Sequence, residues 1–169
     1  VRMITVHGRT RSQFFKGAAD WSRVAAVRRA VGIPVLVNGD ITSPYTAAAA
    51  LAASGADGVM VGRGAYGAPW MPCRIAETLA TGVDPGSPAR SRQAEIAIEH
   101  VDAMLSHYGA ALGLRNARKH VGWYIESSGV APETARARRR RLCTEEQAEK
   151  LLMGLGDFYA STDEERVAA

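Results

Sequence analysis

The chain has 169 residues, enough to bury one ordinary domain core or two small ones, but short of the roughly 250 that a closed eight-unit β/α barrel takes. Its formal charge is +4, and the two halves differ: residues 1–85 hold nine basic and five acidic groups, residues 86–169 twelve of each. The only cysteines, Cys73 and Cys143, argue against a disulfide scaffold; with no metal-ligand spacing and no signal-peptide or membrane-length pattern, a metal-free protein of a reducing, cytoplasmic compartment is expected.

Met3 to Val6 is a short β-prone run ending at His7-Gly8. Asp20 can cap a helix in which Trp21, Val24, Val27 and Val31 recur at helical spacing, with Gly32 beyond it. Pro34 to Val37 is a continuous apolar run, the pattern of a strand covered on both faces. Ser43-Pro44 supplies an N-cap and a first-turn proline for an Ala-rich helix that Gly55 ends, and Gly58 to Val61 is the third strand. A glycine-rich turn and a helical segment from Trp70 to Thr81 follow. The rhythm is that of βα units with parallel strands.

Gly82 to Pro88, crowded with Gly, Asp, Pro and Ser, reads as a linker, and no strand pattern recurs beyond it. Gln93 to Tyr108, with Ile98, Val101, Leu105 and Tyr108 on one side, predicts a helix; Leu112 to Ser127 predicts a second and Pro132 to Leu142 a third. Thr144 and Gln147 form a capping box for a last helix. The expected division is therefore α/β in residues 1–85, all-helical in 86–160, and a frayed tail in 161–169.

Two loops carry most of the chemical information. Asn38-Gly39-Asp40 closes the second strand, at the end of a parallel sheet where ligands bind. Asn38 can donate and accept at the edge of a planar heterocycle, Gly39 permits close backbone approach, and Asp40 can fix the loop; an ordinary Asn-Gly turn would look the same. Gly62-Arg63-Gly64 follows the third strand, where backbone N–H groups and a guanidinium can hold phosphate. Consecutive loops of this kind strengthen each other, because the last two strands of such barrels commonly supply the phosphate site. His7 ends the first strand, Arg9 and Arg11 would face outward over the same rim toward a polyanion, and Asp57 sits at the opposite end of the sheet as a structural residue.

The strings ITVHGRTR, PVLVNGDI, DGVMVGRGAYGAPW and the later RNARKHVGWY resemble the tRNA-dihydrouridine synthases, in their bacterial branch related to nitrogen-regulation-associated proteins. The resemblance implies the last three βα units of a TIM barrel, strands six to eight, followed by an all-helical C-terminal domain, with the N-terminal part of the barrel missing. Family members reduce a uridine of tRNA to 5,6-dihydrouridine with NADPH through bound FMN. By motif, Asn38, Gly39 and Asp40 should contact FMN, Gly62 and Arg63 should hold its phosphate, His7 should lie near the flavin, and Arg11 should reach the tRNA. The family's proton-donating cysteine and flavin-facing lysine belong to the N-terminal part, so no catalytic residue is assigned here, and residues 1–169 alone are expected to be inactive.

On a helical wheel Arg115, Arg118 and Lys119 cluster with Gly122, opposite Ala117, Val121, Tyr124 and Ile125, so these three cations are candidate RNA contacts. Trp123 borders the stripe, and the block of Arg136 and Arg138 to Arg141 is a second candidate; solvated basic faces are the alternative for both. Two other functions fit part of the pattern. A phosphate-binding barrel enzyme for a small metabolite would explain the glycine loops, and a stand-alone RNA-binding helical module would explain the basic helices.

Overall fold

The computed structural model describes residues 1–14 and 16–167, with side chains through residue 161. The chain divides into two compact units: Val1–Ala65 with Pro69–Ser87, and Tyr66–Ala68 with Pro88 onward.

The first unit is an open sheet of three parallel strands in the order β1 (Ile4–His7), β2 (Val35–Asn38), β3 (Gly58–Met60), joined through α1 (Val24–Ala30) and α2 (Pro44–Ser54). Asp20 accepts from the Ser22 amide at 3.1 Å and caps a 3-10 turn that leads into α1. Ser43 and Thr46 cap α2 reciprocally: the Thr46 amide donates to Ser43 Oγ at 3.1 Å and the Ser43 amide to Thr46 Oγ1 at 2.9 Å. Gly55, at φ 63°, ends α2 in the left-handed conformation. Small residues let α2 sit close to the sheet; Ala47 and Ala50 are fully buried with Val24, Val35 and Val37. Helix α3 (Met71–Thr81) packs on α2 through Met71 and Ile75.

Two expectations for this unit change. Val35 and Val37 are buried, but Leu36 and Asn38, on the other face of β2, are only half covered. Three strands enclose no barrel interior, so that face lacks the side chains that would fill it. The expected linker at Gly82 to Pro88 is in part fastened: Arg74 clamps Asp84 through two hydrogen bonds of 2.6 and 2.7 Å, and Asp84 also accepts from the Gly86 amide. The Arg74 guanidinium, aided by that amide, holds the Asp84 carboxyl down at about 2.

The second unit is helical. Helix α4 (Arg90–Ser127) is broken at Gly109, whose φ of 75° and ψ of 164° lie outside helical geometry. Its two halves form a hairpin: a Cβ at Gly113 would lie 2.8 Å from the Leu105 Cα, and the His100 ring hydrogen-bonds the Tyr124 hydroxyl at 3.0 Å. Helices α5 (Pro132–Leu142) and α6 (Ala148–Val167) pack against α4 around Val121, Ile125, Leu142, Leu151, Leu155 and Phe158. Gly154 lets α6 approach Leu142, whose Cδ2 would be 2.5 Å from a Cβ there.

The start of α6 departs from the predicted capping box. Thr144 Oγ1 donates back to the Arg140 carbonyl at 2.8 Å, while the Glu145 carboxylate accepts from the Glu146 and Gln147 amides at 2.9 Å each. The unpaired carbonyls ending α5 lie within reach of the hydroxyl, and a charged acceptor is the stronger partner for the amides. Of the expected tail, α6 takes the backbone through Val167, and residues 168–169 lie outside the described residues. Among the described residues no helix is long and apolar enough to cross a membrane, and no group of three His, Cys, Asp or Glu is placed to hold a metal.

Candidate functional site

Parallel pairing puts the ends of the three strands side by side: His7 is in register with Asn38, and Asn38 with Met60. The rim is stitched across the strands. The Gly8 amide donates to the Asn38 carbonyl at 2.9 Å, and Asn38 Nδ2 donates to the Met60 carbonyl at 2.7 Å. His7 Nδ1 accepts from the Arg9 amide at 3.1 Å, which places the proton of the neutral ring on Nε2.

Gly39 has φ +107°, and a Cβ there would lie 2.8 Å from His7 Cε1 and 2.9 Å from Ala19 Cβ. The close approach expected at this glycine is thus made by the protein's own side chains. Trp21 Nε1 donates to the Gly39 carbonyl at 2.8 Å and holds the turn from outside.

Asp40 also has a positive φ, 55°. Arg9 grips both of its oxygens at 2.9 and 2.6 Å, and the Ala19 amide donates to Oδ2 at 2.8 Å. The Arg9 guanidinium, with a smaller contribution from Arg63, holds the Asp40 carboxyl below the usual carboxylate range. Arg9 differs from its expected outward placement. Its side chain is only 5% exposed, and Nη2 also donates to the Gly17 carbonyl at 2.6 Å. A carboxylate one strand away offers a bidentate partner, and that geometry draws the guanidinium inward. Arg11 does lie at the surface, in a 3-10 turn.

The Gly62-Arg63-Gly64 loop uses its glycines differently. Nothing lies within 4 Å of a Cβ position at Gly62, so its backbone is open to approach, whereas a Cβ at Gly64 would collide with the Ile41 carbonyl. The loop therefore rests on the one after β2, with Arg63 exposed at the start of a 3-10 turn. Asp57 accepts from the Val35 amide at 2.8 Å and from Arg28 at 3.0 Å, far from the rim.

In the helical unit the basic stripe splits. Arg115 and Lys119 are exposed, whereas Arg118 donates to the Glu145 carbonyl at 2.8 Å. Gly122 is buried, with Arg139 Nε 3.3 Å and Cys143 Sγ 3.7 Å from a Cβ position, so α5 covers that end of the stripe. Trp123 carries Tyr66 stacked on it at 3.8 Å, and the Lys119 ammonium lies 5.2 Å from its ring centroid. In the arginine block, Arg138 bonds Ser161 and Arg139 pairs with Glu126, while Arg136, Arg140 and Arg141 are exposed.

Sequence reasoning missed a groove of about 300 Å³ lined by Met104, Tyr108, Arg115, Asn116, Lys119 and His120. Helical spacing sets Tyr108 with Val101 and Leu105 on the buried side, yet it is 48% exposed. The glycine at 109 is the signal that could have moved it to a hairpin tip.

The sequence model of the dihydrouridine synthase family matches residues 1–157. A probable tRNA-dihydrouridine synthase of Rhodobacter capsulatus is 55% identical over 130 residues, covering 77% of this chain and 40% of that protein. One of Rickettsia conorii is 51% identical over 138 residues, 82% of this chain and 41% of that protein. The tRNA-dihydrouridine synthase B of Pseudomonas putida is 43% identical over 125 residues, 74% of this chain and 37% of that protein. The chain thus spans about two-fifths of the length of the curated relatives it matches. The three aligned strand ends and the helical unit that follows them are those of a member of the dihydrouridine synthase family, to which this chain belongs.

Proposed function

We propose that this chain supplies the phosphate rim and the RNA grip of an FMN- and NADPH-dependent tRNA-dihydrouridine synthase, acting in the cytoplasm. The observation that carries the proposal is the alignment of His7, Asn38 and the loop after Met60 along one sheet end. The residues fit a flavin mononucleotide: Gly62 is open to a phosphate, Arg63 is an exposed cation beside it, and Asn38 presents an amide at the adjacent strand end. FMN, when bound, would supply the reducing equivalents drawn from NADPH.

The chain's own residues bind and orient. Arg63 and the open backbone at Gly62 would neutralise the phosphate, while His7 and Asn38 would line the ring. Gly39 belongs to the same turn, and Asp40 with Arg9 would keep it in shape. Arg115 and Lys119 would hold tRNA phosphates, with Arg118 steadying the helix that carries them, and Arg11 would be a separate contact to the tRNA. Family membership weighs against an isomerase or aldolase of a small metabolite.

The test uses the longer protein that carries this chain. It should purify yellow, lose FMN when Arg63 becomes Ala, and its deletion strain should lack one dihydrouridine in tRNA. A protein that stays colourless with added FMN, together with an unchanged dihydrouridine map, would overturn the proposal.

A further inference from the structure

The hairpin of α4 turns on one residue, Gly109, and leaves Tyr108 at its tip. The side chain is half exposed and meets His107 edge-on, with ring centroids 4.6 Å apart. A lone surface aromatic would need no explanation. Here it forms one wall of the groove of about 300 Å³ whose other walls are Met104, Arg115, Asn116, Lys119 and His120.

The groove combines an aromatic ring, a thioether, an amide and two exposed cations, with no carboxylate among its lining residues. Burial lowers the basicity of His120, so its imidazole adds little positive charge at neutral pH. A ring and thioether match the face of a nucleobase, an amide matches its edge, and two cations match the flanking phosphates. A duplex offers the phosphates but hides its base faces, so it matches only part of this set. An acidic peptide would satisfy the cations and leave the aromatic wall unused.

We propose that the α4 tip is a binding site for one unpaired nucleotide of an RNA strand, its base stacked on Tyr108 and its phosphates on Arg115 and Lys119. This rests on the proposal that the protein acts on tRNA, and concerns a nucleotide other than the one taken into the flavin rim. Single-stranded, splayed nucleotides are what proteins read in RNA by stacking.

Residues 1–169 are titrated with a labelled heptaadenylate and with a 12-base-pair RNA duplex. Tyr108→Ala should weaken heptaadenylate binding about fivefold or more and leave the duplex within twofold; Tyr108→Trp should restore the loss. Arg115→Glu should weaken both. A heptamer carrying 4-thiouridine should crosslink to residues 104–120. Unchanged heptaadenylate affinity in Tyr108→Ala, with thermal unfolding like the parent, would overturn the proposal. So would crosslinks confined to other segments, or a heptaglutamate peptide that binds with the same sensitivity to Tyr108. The longer protein failing to bind FMN would leave these results standing, and a loss of the stacking effect would leave its flavin untouched.

Discussion

The two units differ in what their best-placed arginines do, although each has both paired and exposed ones. In the sheet unit acidic residues hold arginines in place: Asp40 takes Arg9, Asp57 takes Arg28, and Asp84 takes Arg74. In the helical unit Arg115, Lys119, Arg136, Arg140 and Arg141 are left at the surface. Net charge by region does not say which cations are offered to a partner, because each Arg–Asp pair removes one charge of either sign and leaves the regional excess unchanged. At the sheet rim Arg9 is first a structural residue, held by Asp40, whereas Arg115 on the flank of α4 is exposed.

The largest effects should come where backbone meets backbone. Gly64→Val should force the loop off the Ile41 carbonyl, costing about 1–3 kcal/mol of stability and abolishing FMN retention in the longer protein. Thermal unfolding and flavin absorbance check this, and a variant that keeps both would break the picture of a loop seated on its neighbour. Arg63→Ala should weaken FMN about tenfold or more, read from the flavin absorbance of the longer protein, because its cation would neutralise the phosphate.

Charge reversal sharpens the contrast between the units. Arg115→Glu with Lys119→Glu should lower RNA affinity by about tenfold or more and reduce the salt slope by about one for each phosphate no longer neutralised. Asp40→Asn keeps a residue that tolerates positive φ but removes the charge from Arg9. It should cost about 1 kcal/mol at neutral pH while leaving the salt slope unchanged. A changed slope would mean that Arg9 reaches RNA after all.

Acid should separate the units by a smaller but distinctive effect. Burial depresses His100 and His120 below the ordinary 6.5, so the stability they contribute is present above that value and fades as pH falls below it. Asp40 is depressed below 3.8, chiefly by Arg9, so its contribution is full above 3.8 and lost only as pH falls through its lower folded value. Hydrogen exchange should show the α4 hairpin loosening at a pH where the rim is still protected. Simultaneous loosening would show that the histidines do not control it.

Much of the architecture is legible in the residues alone. Ser43-Pro44 and Gly55 bracket α2 as predicted because caps and left-handed glycines act within a few residues. The predicted gap between helices at residues 109–111 narrows to Gly109 alone. Thr144 fails as a cap because two acceptors and donors compete within one turn, and local pattern does not rank them. Arg9 could not be read correctly either, since its partner Asp40 is 31 residues away and comes near only through strand pairing.

The chain's own residues determined the alternation of strands and helices, the glycine loops at the strand ends and the basic stripe on α4. Those depend on periodicity and on conformational preferences that each residue carries with it. Only tertiary structure decided which charges are spent and which are offered. Parallel register brought Asp40 under Arg9, α5 closed over Gly122, and the reversal at Gly109 lifted Tyr108 out of the core onto the wall of a groove. Partners distant in sequence meet only after folding, and it is their meeting that separates a fastener from a site.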